Sequence, residues 1–248
     1  CGCVWELLHH LYSWNYLRAD SMKVHPTYFR GCRAPSLRFP HCFLQGGIFR
    51  NCVNKCTSTT SRQLHRSSPQ WRLSITERWL DDVVIGQRLC PFAPPVRAPP
   101  KLRLQASVAV DVDEFVLEVG NEADLLADGI QKGPEACMPE TTLLVLDESL
   151  PFGASWRDFV HLSWRLQEEA ILGRGHHEVL QIVLFHPLAV QSAYGEGPED
   201  AADYALRSPY PTVHLLREKD MLDAVRSYPD VAQIPSRNKK RLRSQGLQ

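Results

Sequence analysis

The chain has 248 residues, of which 28 are basic and 28 acidic, so its formal net charge is zero. Residues 1–70 hold nine Lys and Arg against two acids, whereas residues 71–248 hold 19 basic residues against 26 acidic ones. The negative balance of residues 71–248 argues against a nucleic-acid partner, and because no run of about 18 apolar residues occurs, we expect no membrane span.

The first quarter of the chain has the composition of an organelle transit peptide. From Met22 to Thr76 there is no Asp or Glu, while Arg and Lys recur and hydroxyl residues cluster at 57–61. Arg-rich, Ser-rich and acid-poor segments are typical of import signals. We therefore predict a disordered transit arm over residues 22–70, with Met22 as the native start and residues 1–21 outside the native protein.

The eight cysteines follow the same division. Six of them precede residue 57, and only Cys90 and Cys137 lie in the body of the chain. A disulfide framework would spread its cysteines through the fold. Two distant thiols therefore indicate a reducing compartment.

The body is predicted to begin with a helix at Ser74, where Ser74 to Glu77 form a capping-box pattern. Apolar residues at helical spacing extend it to about Arg88, and the prolines that follow end it. Patterning predicts the remaining elements in chain order: a strand over 104–110, a helix over 121–131, a strand over 141–146, a helix over 155–172, a strand over 179–185, a short helix near 199–206, a strand over 212–216, and helices over 218–227 and 236–244.

Alternation of strands and helices is typical of the α/β class. The central strands are apolar throughout, which predicts a sheet that is covered on both faces. We therefore expect a single α/β domain over residues 71–248, with one mostly apolar sheet of about four strands covered by helices. The pattern leaves the strand order open.

Two of the most apolar predicted strands end on a polar side chain, Asp147 in one case and His186 in the other. In open α/β sheets, sites form beyond the carboxyl ends of the strands. We therefore expect Asp147 and His186 to lie on the functional edge of the sheet.

A second concentration of reactive side chains runs from Arg207 to Arg217. Two prolines make it rigid, and between the two arginines it carries Ser208, Tyr210, Thr212 and His214. Arginine grips carboxylates and phosphates through paired hydrogen bonds, so the segment is a candidate anion site. The alternative is that both arginines pair with acids of the body and that His214 is a hydrogen-bonded strand histidine.

Cys90 is a third candidate, as a nucleophile or a metal ligand. The predicted position at a helix C-terminus would raise its thiol pKa, so a small buried hydrophobe is the competing interpretation. With His186 and His214 nearby, Cys90 could form a three-ligand zinc site. The run His176-His177-Glu178 is interpreted as a solvated loop, and the basic run 237–243 as a solvated helix end that complements its own dipole.

Several of these segments together resemble the domain of unknown function 1415 family. The resemblance is carried by Leu89-Cys90-Pro91-Phe92-Ala93, Thr141–Val145, Phe185-His186-Pro187, Arg207–Thr212 and His214–Glu218. It covers about residues 74–246. The family is mainly bacterial and brings no established activity, so the resemblance implies domain boundaries rather than a mechanism. Because the domain follows a transit-like arm, the resemblance implies a copy that is imported into an organelle, a plastid (chloroplast) rather than a mitochondrion.

These observations lead us to expect a soluble organellar enzyme that acts on a small anionic metabolite. In this hypothesis Arg207 and Arg217 bind the anion, His186 and His214 perform acid–base chemistry, and Cys90 is a nucleophile or ligand. The further expected substrate contacts are Tyr210, as a positioning hydroxyl, with Ser208, Thr212 and Asp147.

Two other classes of function stay open. One is a non-catalytic module for a nucleotide or phosphate ligand, which needs the arginines but not Cys90 or the histidines. The other is a partner-binding or assembly protein that uses the basic tail and the Tyr210 loop. The sequence leaves any cofactor and the oligomeric state unknown.

Overall fold

The computed structural model describes residues 68–190 and 200–246. The expected native start and almost all of the predicted transit arm lie outside the described residues. Within them, the fold begins at the N-cap Ser68, just before the predicted domain boundary at residue 71.

The described residues form six α-helices and one four-stranded sheet. In chain order they are α1 Pro69–Trp79, α2 Ala93–Val96, β1 Leu102–Ala106, α3 Val112–Lys132, β2 Thr141–Val145, α4 Trp156–Arg165, β3 Leu180–Phe185, β4 Thr212–Arg217, α5 Glu218–Ser227 and α6 Ile234–Gln245. Helices α1 and α4 continue as π-helical segments over Leu80–Ile85 and Leu166–Leu172. In this part of the chain, no helix combines the length and the apolar character needed to cross a bilayer.

The strand order in the sheet is β1-β2-β4-β3. Strands β1 and β2 are parallel, and β4 runs antiparallel to both of its neighbours. The carboxyl ends of β1, β2 and β3 therefore meet the start of β4 at one edge, called here the strand-end edge. The predicted α/β class, with a sheet of about four strands, is confirmed.

Two helices start earlier than predicted because better caps lie upstream. Ser68 accepts a hydrogen bond from the backbone N–H of Trp71 at 3.3 Å, and Pro69 fills the first position of α1. Proline suits that position, since its φ angle is already helical and it has no N–H to leave unpaired. Helix α3 begins at Val112 because Asp111 accepts from the N–H of Glu114 at 2.9 Å.

Strand β1 lies earlier than the predicted 104–110. Val108 and Val110 are 72% and 70% exposed, and their N–H groups donate to the carboxylates of Glu118 and Glu114. Side-chain acceptors on α3 thus replace a neighbouring strand. The alternating apolar pattern that predicted a strand to residue 110 therefore extends into a loop after Ala106.

The two faces of the sheet are packed differently. One face, called the core face, joins α3 and α4 in the main hydrophobic cluster, which includes Leu144, Val213 and Ile182. Side chains of a strand alternate between faces, so the residues between them point to the opposite face. This face, called the α1 face because α1 packs on β1 and β2, carries Leu102, Leu104, Ala106, Thr141, Leu143, Val145, Gln181, Val183, Phe185, Thr212, His214 and Leu216.

Polar side chains are buried on the α1 face. Thr141, Gln181 and Thr212 of the sheet are 4%, 6% and 0% exposed, and Arg72 and Thr76 of α1 are 4% and 0% exposed. Buried polar groups require hydrogen-bond partners. The hydrogen-bond partners of the polar side chains in the layer beneath α1 therefore need to be identified.

Two glycines of α3 make room for arginine side chains. A Cβ on Gly129 would overlap Nη2 of Arg217 and lie 2.9 Å from the Cβ of Met138, whereas a Cβ on Gly120 would overlap the guanidinium group of Arg174. The Arg217 side chain is only 10% exposed, but that of Arg174 is 26% exposed. Arg217 therefore has less freedom to move away.

We expect Gly129→Ala to lower the free energy of unfolding by about 1–3 kcal/mol through overpacking, despite a helix-propensity gain of about 1 kcal/mol. Gly120→Ala is the matched control and should stay within about 1 kcal/mol of wild type, because Arg174 can swing into solvent. Urea denaturation of both variants checks this. Equal effects of the two substitutions would contradict the role assigned to Gly129.

Candidate functional site

The strand-end edge collects several residues that the sequence singled out. Asp147 follows β2, His186 follows β3, and Tyr210 directly precedes the residue that leads into β4. The N–H of Leu146 donates to the carbonyl of Pro211 at 2.8 Å, which ties the end of β2 to the start of β4. Asp147 and His186 thus share one edge, as the strand-end rule predicts.

His186 uses both ring nitrogens to hold the backbone. The Leu188 N–H donates to Nδ1 at 3.0 Å, so Nε2 carries the proton and donates to the carbonyl of Gly153 at 2.9 Å. The ring is 1% exposed and packs against Trp156 and Phe159. Burial lowers its pKa, an effect that the bond to Gly153 opposes. The imidazole connects two loops and has no nitrogen left for a substrate.

The segment that leads into β4 is held by its own side chains. The hydroxyls of Ser208 and Thr212 both donate to the carbonyl of Tyr210, at 2.6 and 2.9 Å. Arg207 donates from Nε to the carbonyl of Ala189 at 3.2 Å, and its guanidinium group lies 4.7 Å above the ring of Tyr204. These contacts fix the loop and aim Tyr210 towards the end of β2.

Arg72 is the residue of this edge that the sequence reasoning missed. Its Nη1 donates to Oδ2 of Asp147 at 2.6 Å, and its Nη2 donates to the carbonyl of Ser107 at 2.8 Å. The other carboxylate oxygen of Asp147 accepts from the N–H and hydroxyl of Ser149. The Ser68-Pro69 cap, which places Arg72 in the first turn of α1, was the available signal.

The pKa of Tyr210 is raised, first by burial and then by the negative charge of Glu148, against a hydrogen bond from Trp71 and the charge of Arg72. Tyr210 is 8% exposed. Its phenol therefore stays protonated at neutral pH.

Neither Arg217 nor Cys90 belongs to the strand ends that form this edge. Arg217 ends β4 at the opposite edge, where Nε donates to the carbonyl of Leu126 at 3.2 Å and Nη1 lies 3.8 Å from Asp220. Cys90 is half-buried in the turn after the π-helical segment of α1. Within residues 68–190 and 200–246, no three His, Cys, Asp or Glu side chains are arranged to hold a metal ion. The zinc arrangement of Cys90 with His186 and His214 is therefore wrong.

The basic run on α6 contacts the end of another helical segment. Arg237, Asn238 and Arg241 donate to the carbonyls of Arg88, Leu89 and Gln87. Cationic groups are favourable at the negative end of a helix dipole. Arg243 pairs with Asp200, and that hydrogen bond lowers the pKa of Asp200 to about 2. Arg237, Arg241 and Arg243 of the basic run thus contact other parts of the same domain.

His176 also differs from its interpretation as part of a solvated loop. Its Nε2 lies 2.7 Å from a carboxylate oxygen of Asp124, and the side chain is 18% exposed. The same carboxylate pairs with Arg174. The three side chains anchor the loop before β3 to α3.

His214 occupies the middle of β4 on the α1 face. Its Nε2 lies 2.7 Å from Oγ1 of Thr141, and the Thr141 hydroxyl donates its proton to the carbonyl of Leu215 at 2.7 Å. A threonine hydroxyl has one proton, so Oγ1 must accept from Nε2–H. The tautomer of His214 is therefore fixed, with the lone pair on Nδ1.

The Nδ1 atom of His214 has no hydrogen-bond partner among the described residues. The side chain is partly exposed, and the Phe185 ring centroid lies 6.1 Å from that of the imidazole. The surrounding protein removes much of the hydration of the ring, and this desolvation lowers the pKa of His214 to about 4. At neutral pH the site therefore presents an uncharged imidazole with one nitrogen held by the protein and the other open.

Residues 72–248 match the family model described as Protein of unknown function (DUF1415). No curated protein and no solved structure matches the chain. The matched segment starts at Arg72 and contains the whole sheet, both residues of the Thr141–His214 pair and the strand-end edge. The chain belongs to the family described as Protein of unknown function (DUF1415).

Proposed function

We propose that the domain is an enzyme that acts on a small molecule. Nδ1 of His214 accepts a hydrogen bond from the bound substrate and then accepts the proton that the substrate gives up in the reaction. The observation that carries this proposal is the Thr141–His214 pair. A base that a third group holds in one orientation is a recurring arrangement in catalytic sites. His214 has that arrangement with Nδ1 left open, whereas both nitrogens of His186 are engaged.

The geometry gives less support to other parts of the hypothesis drawn from the sequence. Both Arg207 and Arg217 donate from Nε to main-chain carbonyls, at 3.2 Å in each case, and they lie at opposite ends of β4. Cys90 has no hydrogen bond to either histidine among the described contacts. An anion held between the two arginines is therefore not part of the proposal.

The pKa of His214 supports a second candidate, a non-catalytic binding module. A general base works best with a pKa near the working pH, and a value of about 4 makes His214 a weak base. It would still be a good hydrogen-bond acceptor in a binding site. Both candidates use the same nitrogen and differ in whether a bound molecule is converted.

The first test is labelling of the native protein with diethyl pyrocarbonate, which modifies accessible, unprotonated imidazole nitrogens. We expect His214 to be modified at neutral pH and still at about pH 5, since its pKa is about 4. His186 is the internal control and should stay unmodified until the protein unfolds, because both of its nitrogens are engaged. Peptide mapping by mass spectrometry reads each site. An unreactive His214 would remove the basis of the proposal.

Turnover separates the two candidates. The variant His214→Gln keeps a donor near Thr141 but has an amide oxygen instead of the basic Nδ1, and this oxygen does not take up a proton at neutral pH. Wild type and variant are incubated with pools of small metabolites. Consumption of a compound by the wild type alone supports the enzyme, whereas a ligand-induced rise in Tm without consumption supports the binding module.

We also propose import into an organelle, with a plastid preferred, on the strength of the acid-free composition from Met22 to Thr76. Because Ser68 caps α1 and Arg72 is buried, removal of the arm must occur upstream of Ser68. A fluorescent protein fused to residues 22–75 tests the destination. A purely cytosolic signal would contradict the proposal.

A further inference from the structure

The surroundings of His214 restrict the chemistry of what binds there. In the sheet register, His214 lies between Leu143 of β2 and Val183 of β3, and Leu104 of β1 continues the same row. All three neighbours are aliphatic. Phe185 lies 6.1 Å from the imidazole, ring to ring, and packs edge-on against Trp79 at 5.5 Å.

No residue of the sheet on the α1 face carries a formal charge. The buried cation of this layer, Arg72, forms an ion pair with Asp147 and donates to the carbonyl of Ser107. An anionic ligand at His214 would lose its hydration without gaining a cationic partner from the sheet, which is costly. A cationic ligand would likewise meet no carboxylate among the sheet residues of this face.

The open nitrogen adds a second restriction. Nδ1 of the neutral, Nε2-protonated ring is an acceptor only. An ionised carboxylate is also an acceptor, so it has no proton to share with Nδ1, and a phosphate offers a P–O–H donor only together with its negative charge. A hydroxyl or an amide N–H supplies the donor that Nδ1 lacks, and an apolar or aromatic body suits the neighbouring side chains.

We infer that the ligand of this site is a neutral molecule with an aromatic or branched aliphatic body and one O–H or N–H donor, in the chemical class of phenols, alcohols and amides. This inference rests on the proposed role of His214 and names the substrate class for it. It replaces the small anionic metabolite expected from the sequence.

The experiment uses the full chain with isotope-labelled histidine and three probes of one shape: 4-methylphenol, toluene and 4-methylbenzoate. Inorganic phosphate is the fourth probe. We expect 4-methylphenol to shift the Nδ1 resonance of His214 and to saturate at a concentration at least tenfold lower than any other probe. In His214→Phe, which has no acceptor at this position, binding is read from the probes' own proton resonances. The preference for 4-methylphenol over toluene should disappear, while toluene binding stays similar.

The other outcomes overturn the inference in distinguishable ways. Equal or tighter binding of 4-methylbenzoate or phosphate at His214 would show that the site takes anions. No shift with any probe, while His214 still reacts with diethyl pyrocarbonate, would reject the substrate class and leave the open nitrogen in place. An unreactive His214 would reject the proposed function itself.

Discussion

Wild-type protein should lose stability on acidification more steeply than the His214→Gln variant. The pKa of His214 is about 4 in the folded state, because of burial, and about 6.5 for an ordinary histidine. Between these values the unfolded chain binds the proton and the folded chain does not, so stability falls as the pH falls. The loss starts near pH 6.5 and is complete below about pH 4.

The size of the effect follows from the displacement of the pKa. At 1.36 kcal/mol per pKa unit, the expected difference between wild type and variant reaches about 3 kcal/mol at the acid end. Urea denaturation at several pH values, each referred to the value at neutral pH, measures it. Other groups, including His186 with its own lowered pKa, are present in both proteins and cancel. Parallel stability curves would show that His214 titrates normally.

The second large expected effect is a difference in stability cost between the two single substitutions at the Arg72–Asp147 ion pair. The Arg72 side chain is 5% exposed and that of Asp147 is 22% exposed. Asp147→Asn leaves a buried guanidinium group without its counter-charge, which should cost about 3–5 kcal/mol. Arg72→Met should cost less, about 1–3 kcal/mol, because Asp147 keeps the donors of Ser149 and contact with water.

Two comparisons make this prediction specific. The double variant Arg72→Met with Asp147→Asn should be more stable than Asp147→Asn alone, since the stranded charge is gone. Arg97→Met breaks the Asp81–Arg97 pair, with side chains 50% and 26% exposed, and should change stability by less than about 1 kcal/mol. If Arg72→Met proved the more damaging single change, the asymmetry would be refuted. Chemical denaturation at neutral pH provides all four values.

Elements with strong local signals could be predicted from the sequence. Helix α5 spans Glu218–Ser227, as predicted, and β2 differs from its predicted range by one residue. Ser155 caps α4 as expected. Where two start signals compete, the local pattern does not decide between them. The capping-box pattern at Ser74 predicted a later start, but α1 begins at Pro69 after the Ser68 cap.

The candidate site could not be predicted in full, because its contacts join residues that are far apart in the sequence. Arg207 and Arg217 were grouped because they are close in the chain, yet β4 lies between them, and a six-residue strand spans about 20 Å. The alternative interpretation, that His214 is a hydrogen-bonded strand histidine, is correct for Nε2 but not for Nδ1. Its partner Thr141 is 73 residues away on a neighbouring strand, so neither the tautomer nor the open nitrogen could be deduced from the pattern.

The most direct test of the central claim is the ¹⁵N NMR spectrum of the His214 ring, assigned with the His214→Gln variant. At neutral pH the structure predicts a neutral ring with the proton on Nε2 and an unprotonated Nδ1, and this state should persist to about pH 5. A proton on Nδ1, or a charged ring at neutral pH, would contradict the claim that the protein holds His214 with an open acceptor nitrogen.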